Sequence, residues 1–129
     1  MEVMVPTSDK NAHVCVACLY GYSGASSDTS KLLDNERLLS YAILRAAQMR
    51  DVPYVLAMDL NLDPAKSDAL AKAIENEVLF DIVDNSYGGD APPTFRRRGI
   101  EAEMQGEGVT RIDTVLANLP ASHALCGCE

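Results

Sequence analysis

The residues of this chain best suited to chemistry fall in YVLAMDLNLDP, residues 54–64. Asp59 and Asn61 stand two apart at the end of an apolar run, and in extended chain such residues point to one face. A carboxylate can accept a proton, and an amide brings two donors and an acceptor. Tyr20 adds a phenol at the end of an earlier run, HVCVACLY. If the two runs are neighbouring strands, the three groups meet outside their carboxyl ends, where α/β sheets collect ligands. A later run, TRIDTVLAN, contributes Arg111 and Asp113, and an aspartate in an otherwise apolar strand calls for a partner or a function. The competing reading is local: Asp and Asn also bond their own backbone in turns and can simply cap a loop.

The elements that must position these residues alternate. Residues 13–20 read as a strand buried on both faces, followed by the small-residue loop GYSGASSDTS. Asp34 is expected to cap a helix, with Glu36 in its first turn. Leu38, Leu39, Ala42, Ile43, Ala46 and Ala47 recur at helical spacing. Pro53 then opens the strand YVLAMD, completing a βαβ unit. A second helix is expected from about Ala65 to Asn76, started by Pro64. VLFDIVD reads as a short strand or extended edge, YGGDAPPTF as turn and extended chain, residues 98–108 as a loop, and TRIDTVLAN as the last strand. The first twelve residues and the tail after Pro120 read as ragged. Asp28, Asp63, Asp68 and Asp90 fall in loop or cap contexts.

At 129 residues the chain fits a single domain. No apolar run reaches the ~18 residues of a membrane span. MEVMVPTSDK lacks the basic start and apolar centre of a signal peptide, so the expectation is a soluble intracellular protein, cytoplasmic or nuclear. The net charge of −8 repels phosphate backbones unless cations or a local patch reverse it, and the dense basic run is Arg96-Arg97-Arg98. His13, Cys15 and Cys18 suggest zinc ligands by type. Residues three apart on a strand face opposite ways, however, so Cys15 and Cys18 read as reduced core cysteines.

The ordered series Tyr20-Gly21, Asp59-Leu60-Asn61, Asp81, Thr94-Phe95 and Arg111-Ile112-Asp113 resembles the endonuclease/exonuclease/phosphatase superfamily, over about residues 13–118. The resemblance implies an α/β fold, part of a four-layer α/β sandwich of the DNase I-like type. It also implies Mg²⁺-dependent phosphodiester hydrolysis, with nucleic acid or a phosphoester as substrate. By the same resemblance Asp59 positions or deprotonates the attacking water, and Asn61 donates to the scissile phosphate. Tyr20 would stabilise charge on that phosphate, and Asp113 would orient an imidazole. Arg111 is structural or lies near the substrate backbone. The metal-binding glutamate and the terminal S-D-H histidine of the superfamily have no counterpart here; ASHALCGCE offers only Ser122-His123. A fragment of a DNA endonuclease of the apurinic or retrotransposon type is therefore expected, weak or inactive alone, with the rest of the domain as a partner. The alternatives are a small phosphoester (inositol phosphate-like) phosphatase and a non-catalytic α/β remnant.

Overall fold

The computed structural model describes residues 1–8, 12–96 and 109–126. Five strands pair in one sheet: β1 (Glu2–Pro6), β2 (His13–Tyr20), β3 (Tyr54–Asp59), β4 (Phe80–Asp81) and, numbered here by its place in the chain, β7 (Asp113–Ala117). Their order across the sheet is β1-β2-β3-β7-β4. β2 and β3 run parallel, as the βαβ reading requires, and β7 is antiparallel to β3 and β4. A separate two-stranded ribbon joins β5 (Phe95–Arg96) to β6 (Val109–Thr110).

The N-terminal residues form a strand where an irregular segment was expected. β1 lies antiparallel to β2 over five residue pairs, and its Glu2 reaches the first helix, where Arg45 Nη2 donates to Oε1 at 2.9 Å. The Arg45 guanidinium holds the Glu2 carboxyl below its usual range.

That helix, α1 (Thr29–Gln48), is capped six residues before the expected cap. Asp28 is extended, and its carboxylate accepts from Ser30 N and Lys31 N at 2.9 and 3.3 Å. It thereby satisfies donors that the first turn leaves open. Asp34 instead sits inside the helix and pairs with Arg37 one turn on. The stripe that α1 buries contains Asn35, Leu39 and Ala46, flanked by Leu32, Ala42 and Ile43. Ala47 is exposed.

The expected second helix is two pieces. Asp63 caps a short 3-10 turn, Pro64–Lys66, and Ser67 then turns extended and caps α2 (Asp68–Glu75) through a hydrogen bond from Leu70 N. β4 is only two residues long because Asp81 ends it. Its carboxylate accepts from Asp84 N at 2.8 Å and caps α3 (Ile82–Ser86), so VLFDIVD is strand and then helix. After β7, α4 (Leu119–Cys126) replaces the frayed tail that was expected.

Alternation along the strands sorts the residues into two faces. Cys15, Ala17, Tyr54, Leu56, Met58 and Leu116 turn to the helices and form the core with Leu39, Leu60, Leu70 and Leu79. The other face carries Val14, Val16, Val55, Ala57 and Val115, all partly exposed. Cys15 is buried and Cys18 exposed, on opposite faces, so this pair does not chelate. Among the described residues, no helix is long and apolar enough to cross a membrane.

Candidate functional site

Tyr20, Asp59 and Asp113 form one row across three adjacent strands. Tyr20 is in register with Asp59 between the parallel strands β2 and β3, and Asp59 with Asp113 between the antiparallel strands β3 and β7. Residues in register share a face, here the one turned away from the core. Together with Thr94 they line an open cleft of about 710 Å³, floored by Cys18, Ala57 and Val115. Tyr20 is 69% exposed. Two carboxylates directly opposite on paired strands repel one another, so this row favours a cation between them.

Hydrogen bonds to the backbone hold the strand ends that carry these residues. Asp59 Oδ1 accepts from Asn61 N at 3.1 Å, an Asx turn that leaves Oδ2 for another partner. This turn puts Asn61 in the left-handed region, φ 50°, which asparagine tolerates better than most side chains. Asn61 Nδ2 then donates to Gly21 O at 3.1 Å, which leaves its second amide hydrogen and its Oδ1. Thr94, the threonine of Thr94-Phe95, accepts from Ile112 N and Asp113 N at 3.0 and 3.1 Å and so fixes the start of β7. Asp113 is exposed at that position and bears no burial cost. Met58, which precedes Asp59, points the other way and is buried.

The loops that leave β2 and β3 touch. Gly21 N donates to Asp59 O at 2.7 Å. A Cβ on Gly21 would lie 2.5 Å from Leu60 O, so only glycine allows this approach. Asn35, wholly buried on α1, bridges the two loops: Oδ1 accepts from Tyr22 N at 2.7 Å and Nδ2 donates to Leu60 O at 2.8 Å. Asn35 was missed in the sequence because it occupies an apolar stripe. The signal that could have revealed it is a polar residue at a core position of the 3.6 period.

Arg111 lies in a second cleft, with Asp63, Asp84 and Pro93. Its guanidinium contacts the Asp81 carboxylate and the Thr114 hydroxyl and reaches Asp84 Oδ1 at 3.5 Å. Thr114 Oγ1 in turn donates to Asp81 at 3.1 Å. His123 sits on α4, which begins where Asn118 bonds Tyr54 at the far end of β3 from Asp59. Arg97 and Arg98 lie outside the described residues. No group of three or more His, Cys, Asp or Glu side chains converges among the described residues. The rim supplies two carboxylates, fewer than a protein-only metal cage requires.

No family model matches the chain, and no curated protein is similar to it in sequence. Among solved structures it resembles "Structure of the human Nocturnin catalytic domain with bound sulfate anion", at 15% identity and a TM-score of 0.50. The alignment covers 90% of this chain and 39% of that one, so the chain spans well under half the length of the protein it resembles. The architecture is accordingly that of part of a DNase I-like α/β sandwich: one five-stranded sheet with its layer of helices.

Proposed function

We propose that this chain carries the phosphate-handling rim of a nuclease-like phosphodiesterase domain. The observation behind this reading is the row Tyr20–Asp59–Asp113, with Asn61 beside it, at the ends of adjacent strands. In this reading Asp59 Oδ2 holds or deprotonates the attacking water, and the free Asn61 amide hydrogen and the Tyr20 hydroxyl meet phosphate oxygens. The solved relative is a catalytic domain that holds a sulfate, a tetrahedral anion with the shape of phosphate, and this supports the same ligand chemistry here.

Mg²⁺ belongs to the reading by resemblance. Asp59 and Asp113 alone do not compose its site, so no step is assigned to the metal, and turnover by this chain alone is expected to be weak or absent. The net charge of −8 favours a small phosphoester over duplex DNA. A DNA endonuclease of the apurinic or retrotransposon type remains the branch that the Tyr-Gly and small-residue loop resemble.

The test is a titration of isotope-labelled protein with inorganic phosphate, with and without Mg²⁺, alongside hydrolysis of bis(p-nitrophenyl) phosphate and of an abasic-site oligonucleotide. Phosphate-dependent shifts at Gly21, Asp59, Asn61 and Asp113, lost in Asp59→Ala, support the reading. No shift at those amides, and a melting temperature that ignores both ligands, would replace it with a non-catalytic α/β module.

A further inference from the structure

Tyr20 and Asp59 reach the rim from different strands, and each strand ends in a loop that must stop at the right place. Four hydrogen bonds tie those loops together: Gly21 N to Asp59 O, Asn61 Nδ2 to Gly21 O, and two through the Asn35 amide, from Tyr22 N and to Leu60 O. Asn35 is the member of this set that belongs to neither loop. It is wholly buried on α1, and it uses one donor and one acceptor on two backbone groups 38 residues apart in sequence, Tyr22 N and Leu60 O.

An apolar residue would fill the same volume, so packing alone does not explain an amide there. A buried amide is retained only when both ends are satisfied, because an unpaired polar group in the core is costly. Serine and threonine are too short to reach both loops at once. An aspartate would keep the acceptor toward Tyr22 N and oppose the Leu60 carbonyl with a second oxygen. The bridge therefore calls for a side chain with opposite hydrogen-bonding character at its two tips.

We propose that Asn35 is a positioning residue of the rim. It sets the spacing between the Tyr20–Gly21 turn and the Leu60–Asn61 turn, so that the phenol, the Asp59 carboxylate and the Asn61 amide face one phosphate. Asn35 touches no substrate; it acts through Gly21, Tyr22 and Leu60. This role rests on the phosphate-rim reading for its purpose, but not for its geometry.

The experiment compares the wild type, Asn35→Ala, Asn35→Asp and the core control Leu39→Val, which weakens the same helix face without removing a hydrogen bond to either loop. Three readouts are taken by NMR: exchange of the Asn61 side-chain amide hydrogens, exchange of the Tyr22 backbone amide, and the affinity for inorganic phosphate. Asn35→Ala is expected to speed Asn61 exchange at least tenfold and weaken phosphate binding at least fivefold. Leu39→Val lowers the melting temperature and leaves all three readouts near wild type. If Asn35→Ala does not fold, Asn35→Asp decides: Tyr22 amide protection survives while Asn61 protection is lost. Wild-type Asn61 exchange in the Asn35 variants, or equal effects from Leu39→Val, would overturn the proposal. If the wild type binds no phosphate, the functional reading falls, and the Asn61 and Tyr22 protection data still judge the positioning role.

Discussion

The guanidinium of Arg111 lies against the carboxylate of Asp81, with the side chains only 13% and 11% exposed, two residues before Asp113 enters the rim. Thr114 closes the group by donating to the same carboxylate. The network ties β4, the start of α3 and the start of β7 together beneath the site. Removing one partner of such a pair strands a buried charge. Arg111→Ala should therefore cost about 3 kcal/mol or more in urea denaturation. Phosphate affinity in the folded fraction should change little. A large loss of affinity without loss of stability would instead put Arg111 against the substrate.

Gly21→Ala tests the contact between the two loops. The added methyl meets the Leu60 carbonyl, which is backbone and cannot swing aside. The expected loss is about 1–3 kcal/mol, the range of overpacking, measured by thermal unfolding. Shifts at Asn61 and Tyr22 should accompany it.

Thr94→Val removes the oxygen that accepts from Ile112 N and Asp113 N, and Thr94→Ser keeps it. The valine variant should lose about 1 kcal/mol, the worth of an ordinary hydrogen bond, and its Asp113 amide should exchange faster. The serine variant should behave as wild type in both measurements.

Alkaline pH should destabilise the protein in a defined window. Burial pushes the Tyr54 phenol up to about 12, and burial also raises the Cys15 thiol. For groups raised in this way, the folded state is fully stable below their unfolded values and loses stability as pH climbs toward the folded ones. The Tyr54 contribution therefore falls away from about pH 10 to about 12, by on the order of 1 kcal/mol per pH unit. Tyr54→Phe should flatten that part of a stability-versus-pH curve and leave the Cys15 part, which begins lower.

The sequence was most legible where one period ran without interruption. The order β2-α1-β3 followed from two apolar runs flanking a helical repeat, and the rim residues Tyr20 and Asp59 followed from their place at strand ends. It was least legible where a single polar residue redirected the chain. Asp28 outranked Asp34 as a cap because it precedes the helix in extended backbone, a conformation that composition does not reveal. Asp81 turned an apolar stretch from strand to helix by capping α3. Ser67 split the second helix in the same manner. β1 was hidden because its pairing to β2 is a long-range property, and its own residues are exposed. Asn35 was hidden by the opposite circumstance, a polar side chain placed where the pattern asks for an apolar one.

The alternation of β3 has a consequence for how this chain can change over time. Leu56 and Met58 read into the core and Asp59 reads out of it, so stability and the proposed chemistry are written on the same strand in opposite phase. On the phosphate-rim reading, a point substitution at Asp59 erases the proposed chemistry and leaves the scaffold standing. An insertion or deletion of one residue within β3 would exchange the two messages, sending the carboxylate inward and the core side chains outward. Descendants of this sequence can thus fall silent by substitution while keeping their shape, but a frame slip in this strand costs them both.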